Sequence, residues 1–321
     1  MNKGIMVAGT VLVDKINGIK KYPEIGELTQ IFSLSRATGG NVPNVGIDLK
    51  KIDANLNVFA AGRLGKDGDG EFIVKTLNDN GLDTSFMAYS DTSSTSFTDV
   101  MSVYGGQRTF FTYSGACAEF GVNDLDFSKI NVDMLHLGYF LLLEKVDGGD
   151  GELILKKAKE KGIRTSIDLV SENSDRYSVV IPCLKYTDNL IINEIEAGKI
   201  TGIEPKKENI KDICLKLKSL GVSERVIIHM PKFGACLSES GYIEVPSLCL
   251  PEGYIKGSTG AGDAFCAGAL YGIYKGFTDK EILEFASSSA AVSLSCEDAT
   301  SGLCSEKEIK QICSAFKRLE L

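Results

Sequence analysis

Histidine is scarce. The 321-residue chain has two, His136 and His229, which excludes a histidine-rich metal centre. Its nine cysteines form no C-x-x-C pair, and their number is odd. Free, mostly buried thiols in a reducing cytoplasm are the expectation, and Cys266 reads as packing rather than as a nucleophile. No secretory signal precedes the first strand-like run, and no targeting segment is visible. No apolar run reaches membrane-spanning length, so no membrane partner is expected. An excess of basic charge is also missing. Lys and Arg number 35 against 43 Asp and Glu, a formal net charge of −8. That disfavours nucleic acid as a partner but not a small anion, because a local site can oppose the global sign. Three common signatures are absent as well. The glycine-rich segment at 257 lacks the lysine of a phosphate-binding P-loop. There is no G-x-S-x-G nucleophile elbow. No G-x-G-x-x-G follows the first strand, which removes most support for a dinucleotide fold.

What is present is a globular composition, 43% hydrophobic and 24% charged. The length allows about two domains, or one large α/β domain with an insertion. No repeat, low-complexity tract or linker divides the chain, so one domain over residues 1–321 is expected. Lys3 to Val13 reads as a buried first strand ending at Asp14. Asp14 to Ser33 loses the apolar runs and suggests strands of a small exposed sheet. Within Ala37 to Ile52, paired glycines precede a helix with apolar positions Val42, Val45, Ile47 and Leu49, and Asn55 to Ala61 is a second core strand. Gly65 to Gly70 is a surface turn leading into a helix around Phe72 to Leu77; it lacks the twelve-residue pattern of a calcium loop. Phe97 to Tyr113 predicts a hairpin turning at Gly105-Gly106. Together with Asp14 to Ser33 it would make a lid, inserted at about 14–33 and 93–117. From Val132 onward, strands at 134–138, 164–169, 189–193 and 225–229 alternate with helices near 151–161 and 209–220. This is the pattern of a mostly parallel sheet flanked by helices. Ligands of such sheets sit at the carboxyl ends of strands. Asp14, Gly39, Asp168, Asn193, His229 and Asp263 are all expected at such ends or in the loops just after them.

One stretch gathers small residues ahead of a buried helix: GSTGAGDAFCAGALYG at 257–272. Its Asp263 has two readings. It can cap the helix, satisfying orphan N–H groups. Alternatively, the amides of Gly260, Ala261 and Gly262 hold an anion while Asp263 handles a proton. Asn193 and Glu196, three residues apart on one helical face, read by themselves as an N-cap with a first-turn acid. Gly39-Gly40 is either a turn before a helix or a close backbone approach to a ligand. Asp168 lines a phosphate channel or caps the next segment, and Arg108 on the hairpin contacts substrate or is only solvated.

Four segments in order resemble the signatures of the ribokinase-like, or PfkB, carbohydrate kinases. They are TGGNVPN at 38–44, GRLGKDGDGEF at 62–72, NEIEAGKITG at 193–202 and STGAGDAFCAG at 258–268. The resemblance spans nearly the whole chain and implies a ribokinase-like fold with a small β-sheet lid. It implies Asp263 as catalytic base and the loop of Gly260, Ala261 and Gly262 as anion hole. Asp14, Gly39, Gly40 and Asn44 match sugar-binding positions, and Asn193 and Glu196 match residues that organise Mg²⁺ through water. ATP is the implied donor. Its loop is matched by His229-Met230-Pro231-Lys232-Phe233-Gly234, where His and Pro replace Thr and Gly and Lys232 would supply a phosphate contact. Gly257 stands where the family commonly has the Asp of its monovalent-cation loop, which puts potassium activation in doubt. The implied activity is phosphorylation of a hydroxyl on a sugar or related small molecule. The alternatives are a nucleoside kinase with a base pocket from Phe97, Phe111 or Tyr113, and a sugar-binding sensor without chemistry. Exposed lid strands would be covered by a homodimer formed through the lids.

Overall fold

The computed structural model describes residues 3–103 and 108–320. Among them the strands are β1 (Ile5–Gly9), β2 (Leu12–Ile19), β3 (Ile31–Gly39), β4 (Val58–Leu64), β5 (Asp83–Tyr89), β6 (Phe97–Val103) and β7 (Arg108–Tyr113). They continue as β8 (Met134–Phe140), β9 (Arg164–Leu169), β10 (Asn189–Asn193), β11 (Arg225–His229), β12 (Phe233–Ser238) and β13 (Gly241–Pro246). The helices are α1 (Asn41–Ile52), α2 (Gly68–Asp79), α3 (Gly151–Glu160), α4 (Ile181–Leu184) and α5 (Glu194–Thr201). They continue as α6 (Ile210–Ser219), α7 (Ala261–Lys275), α8 (Asp279–Ser293) and α9 (Glu306–Ala315).

Nine strands form the main sheet in the order β13-β12-β11-β10-β9-β8-β1-β4-β5. From β5 to β11 neighbours pair in parallel, and β12 and β13 close one side antiparallel. Strands such as Ile5–Gly9 are apolar throughout because helices cover both faces of a parallel sheet. β1 has β4 on one side and β8 on the other, so the crossovers diverge there. A crevice opens where crossovers diverge, at the carboxyl ends of the strands.

The expected single strand from Lys3 to Val13 is broken in two. Gly9 has φ +134°, and beyond it the chain leaves the main sheet for a second one, of order β3-β2-β6-β7. Asn41 holds this departure: its Oδ1 accepts from Thr10 N at 3.1 Å, and its Nδ2 donates to Ala8 O. A Cβ on Gly9 or Gly138 would strike the Asn41 side chain, which explains glycine at both places. Asp14 is consequently the third residue of β2, not the end of the first strand. The second sheet also begins earlier than expected, at Leu12, takes in β3 as far as Gly39, and in its later part runs only from Phe97 to Tyr113. β6 and β7 do pair antiparallel, Phe97 opposite Tyr113; the turn expected at Gly105-Gly106 lies outside the described residues. Of the expected turn from Gly65 to Gly70, only residues 65–67 are turn, because α2 begins at Gly68. Asp67 caps α2 through Gly70 N and also holds Thr95 N, while Asp69 pairs with Lys15 of β2 at 2.8 Å.

Candidate active site

α7 begins at the crevice. Its N-cap is Gly260, at φ +79°, a conformation glycine adopts without strain. A Cβ there would stand 2.5 Å from Ala299, so the 296–302 segment is packed against the loop. Asp263 lies in the first turn of α7 but does not cap it. Its carboxylate points away, accepting from Asn44 Nδ2 at 3.0 Å and from Tyr139 Oη at 2.8 and 2.9 Å. The first-turn amides of α7 are thus left free of side-chain caps. Ala261 N reaches back weakly to Ser258 O, at 3.3 Å.

Burial pushes the Asp263 pKa up to about 7, and the Asp168 charge adds to the shift; the Tyr139 and Asn44 hydrogen bonds oppose it. A carboxyl poised near neutrality can accept a proton and pass it on. Tyr139 is the residue that reading the sequence missed. It is a non-glycine residue at φ +60°, held there because its N–H donates to Asp168 Oδ1 at 2.6 Å while its hydroxyl grips Asp263. Backbone in this region is strained and persists where its surroundings enforce it. The available signal was a tyrosine following a glycine at the carboxyl end of a core strand.

Asn193 and Glu196 form a reciprocal capping box on α5. Asn193 Oδ1 accepts from Glu196 N at 2.9 Å, and Glu196 Oε2 accepts from Asn193 N at 3.1 Å. Ser171, the other missed residue, donates to Glu196 Oε1 and accepts from Asn193 Nδ2, both at 2.9 Å. Capping does not remove the pair from the crevice. Both residues line a cavity of about 200 Å³ together with Asp168, Gly262 and Asp263. Burial raises the Glu196 pKa to about 8, and no lysine or arginine of the described residues lines this cavity. Oxygen donors without a counter-charge suit a hard divalent cation such as Mg²⁺.

A second cavity of about 620 Å³ shares Asn193, His229 and Gly262 with the first. It is mainly apolar, with Phe233, Leu248 and Leu294 among its walls, and Gly234 lies in it. His229 stands between the two cavities, its ring 4.9 Å from that of Phe265. Burial pulls its pKa down to about 4, so it is a neutral imidazole at physiological pH. Lys232 is exposed and lines neither cavity.

On the opposite side of Asp263, α1 starts at Gly40, with φ +89°. Asn44, one turn along, carries the bond to Asp263 and leaves its own Oδ1 buried without a partner. Asp14 overlies Gly39 so closely that a Cβ there would be 2.5 Å from its Oδ2. Burial alone raises the Asp14 pKa to about 6. Asp14, Gly39, Gly40 and Asn44 therefore converge on the start of α1, on the Asp263 side. Arg108 does not join them. It is exposed on edge strand β7, opposite Ser102, which pairs with Gly18, four residues beyond Asp14 on β2. At about 3.3 Å per residue that places its backbone on the order of 13 Å from the Asp14 register. At position 257 a Cβ would come within 3.0 Å of the Cys296 and Glu297 backbone, which leaves no room for the carboxylate expected there.

This arrangement has close counterparts among solved structures. The structure of Arabidopsis thaliana ribokinase complexed with ribose and ATP superposes with a TM-score of 0.85, at 23% identity, over 98% of this chain and 99% of that one. The fold is ribokinase-like, and residues 3–306 match the sequence profile of the pfkB family carbohydrate kinases; the chain belongs to that family and is a kinase. In sequence it is 22% identical to an Arabidopsis thaliana ribokinase over 311 residues, covering 96% of this chain and 80% of the relative. A Methanocaldococcus jannaschii nucleoside kinase is 24% identical over 280 residues, covering 85% of this chain and 84% of the relative.

Proposed function

We propose that the chain transfers the γ-phosphoryl group of ATP to a hydroxyl of a sugar or sugar-like small molecule, with Asp263 as general base. The observation that carries this reading is the Asp263 carboxylate. It is buried and poised near neutrality, free of helix capping, and set between the free amides of α7 and the Asp14–Asn44 side. Asp14 and the unpartnered Oδ1 of Asn44 orient the accepting alcohol, and glycine at 39 and 40 lets it approach the backbone. Asp263 takes its proton as the oxygen attacks. The amides of the Gly260–Gly262 turn face the transferring group, since phosphoryl transfer depends on positioning and charge stabilisation. The apolar cavity beside His229 and Gly234 takes the adenine end of ATP. Asn193 and Glu196 hold hydrated Mg²⁺, which offsets phosphate charge when bound. The second sheet serves as a lid that excludes water. Its exposed Phe32, Leu34, Phe110 and Phe111 favour a homodimer through the lids, which light scattering would detect. Free thiols throughout fit a cytoplasmic setting.

A nucleoside acceptor is the second reading. Its support is the nucleoside kinase among the relatives; Phe97 and Tyr113, with tilted rings 5.4 Å apart, lie in register with Val13 on the sheet face opposite Asp14, where Lys15 covers Phe97. A panel of ribose, fructose, sugar acids and nucleosides with ATP, read by ADP release, separates the two. Asp263→Asn should lower turnover by at least about 100-fold while the protein stays folded. Near wild-type turnover would remove the base assignment, and release of no ADP with any acceptor would favour a ligand sensor.

A further inference from the structure

Near Asp263 lies a cluster of which the kinase reading uses only Asp168. Cys266, one turn along α7, meets His136 of β8 and Asp168 of β9, and all three are buried. His136 Nδ1 is fully occupied, 2.9 Å from Ser166 Oγ. Its Nε2 has no comparably short partner: Asp168 Oδ2 is at 3.4 Å and Cys266 Sγ at 3.6 Å. The first distance is long for an N–H···O bond. Both match the edges of a metal tetrahedron. Zn²⁺ bonds of about 2.05 Å to nitrogen, 2.1 Å to oxygen and 2.3 Å to sulfur give N···O and N···S edges of about 3.4 and 3.6 Å. All three ligand atoms lie within 4.8 Å of one another.

We propose that His136, Asp168 and Cys266 form a three-ligand site for a thiolate-binding divalent cation of the Zn²⁺ class, at the floor of the Asp263 cavity. The chemistry differs from that of the Asn193–Glu196 pair, whose oxygens suit a hard cation; a thiolate with an imidazole selects a softer one. The Ser166 contact supplies the outer bond that ligating histidines ordinarily make, fixing Nε2 toward the ion. Asp168 and Cys266 both line the cavity, so an ion has a way in. Binding displaces the Cys266 proton to solvent, so apparent affinity rises with pH.

The test uses Co²⁺ as a spectroscopic substitute on the purified full-length protein. One equivalent should bind with thiolate-to-metal absorption and be displaced by Zn²⁺. Cys266→Ser should abolish that absorption, and His136→Gln should weaken binding at least about 10-fold. Melting curves recorded without metal check that both variants remain folded. Absence of thiolate absorption in the unmutated protein overturns the proposal. So does an unchanged spectrum in Cys266→Ser, which would place the ion on other cysteines. The readout is direct binding, so it holds whichever substrate the kinase takes.

Discussion

Replacing Tyr139 with Phe removes one hydroxyl and leaves the ring and the strained backbone in place. That hydroxyl donates to both Asp263 oxygens, at 2.8 and 2.9 Å, and so favours the ionised carboxylate. A hydrogen bond to a charged group contributes about 1.5–3 kcal/mol, and one pKa unit corresponds to about 1.4 kcal/mol. Its loss should therefore raise the Asp263 pKa by about 1–2 units above its present value. The sign follows from the roles. Burial and Asp168 already push this carboxyl up to about 7, and Tyr139 and Asn44 are what hold it down. A base works only when ionised, so kcat/KM should fall on the acid side of that pKa. In Tyr139→Phe this acid limb should move to higher pH. At about pH 7 the ionised fraction would drop from about one half to between one tenth and one hundredth, a five- to fifty-fold loss. The loss should disappear at alkaline pH. The assay is ADP release at limiting acceptor, measured across pH for both proteins. A purely structural role would scale the whole profile down without moving it. An acid limb that stays in place or moves to lower pH would refute the assignment of Tyr139 as the residue that sets Asp263.

Other parts of the molecule give further tests. Gly260→Ala meets both a positive φ and the Ala299 backbone at 2.5 Å, so urea unfolding should show a loss of about 1–3 kcal/mol; an unchanged midpoint would contradict the packing described. Asp48 of α1 is wholly buried, neither of its oxygens has a partner, and burial followed by the Asp263 charge raises its pKa well above the usual range. Because the folded state favours its protonated form, stability from this group is present below the unfolded pKa and lost as pH rises through the folded one. Asp48→Asn should therefore melt higher than the unmutated protein by a margin that widens from acid to neutral pH, and a margin independent of pH would be contrary evidence. Removing divalent cations with a chelator should weaken ATP binding, measured by calorimetry, by more than about 10-fold; equal affinity with and without metal would count against the Asn193–Glu196 site.

The architecture was legible where the sequence pattern is local. The runs at 164–169, 189–193 and 225–229 are strands with those bounds, because a helix-covered parallel strand is a short, continuous apolar run. The break between β1 and β2 was not legible. Both halves are apolar and buried, and the change of sheet depends on the Gly9 backbone and on Asn41, which bonds across 31 residues of sequence. The candidate site divided the same way. Asp263, Asn193 and Glu196 lie in compact motifs with glycine or capping signatures. Tyr139 and Ser171 carry no such signature and act through partners 124 and 25 residues away. Lys232 shows the converse. Its place in a loop pattern suggested a phosphate contact, but the loop turns its side chain to solvent and leaves the cavity wall to Phe233 and Gly234.

The position of Lys232 outside both cavities bears on how an anion enters them. Three carboxyl groups, Asp168, Glu196 and Asp263, line the smaller cavity, and no lysine or arginine of the described residues lines either cavity. The chain itself carries a formal charge of −8. A bare polyphosphate approaching this crevice would meet like charge at short range, where the low dielectric of a buried site strengthens repulsion. The α7 amides provide partial positive charge at one point only. Burial, with the Asp168 charge adding to it, already raises the pKa values of Glu196 and Asp263. If the chain uses ATP as proposed, cations would arrive with the nucleotide rather than from side chains of the cavity walls, and would draw protons off the raised carboxyls. On this argument metal binding and activation of the Asp263 base are coupled. The acid limb of the rate profile should then lie at lower pH when metal–nucleotide is saturating than when it is limiting.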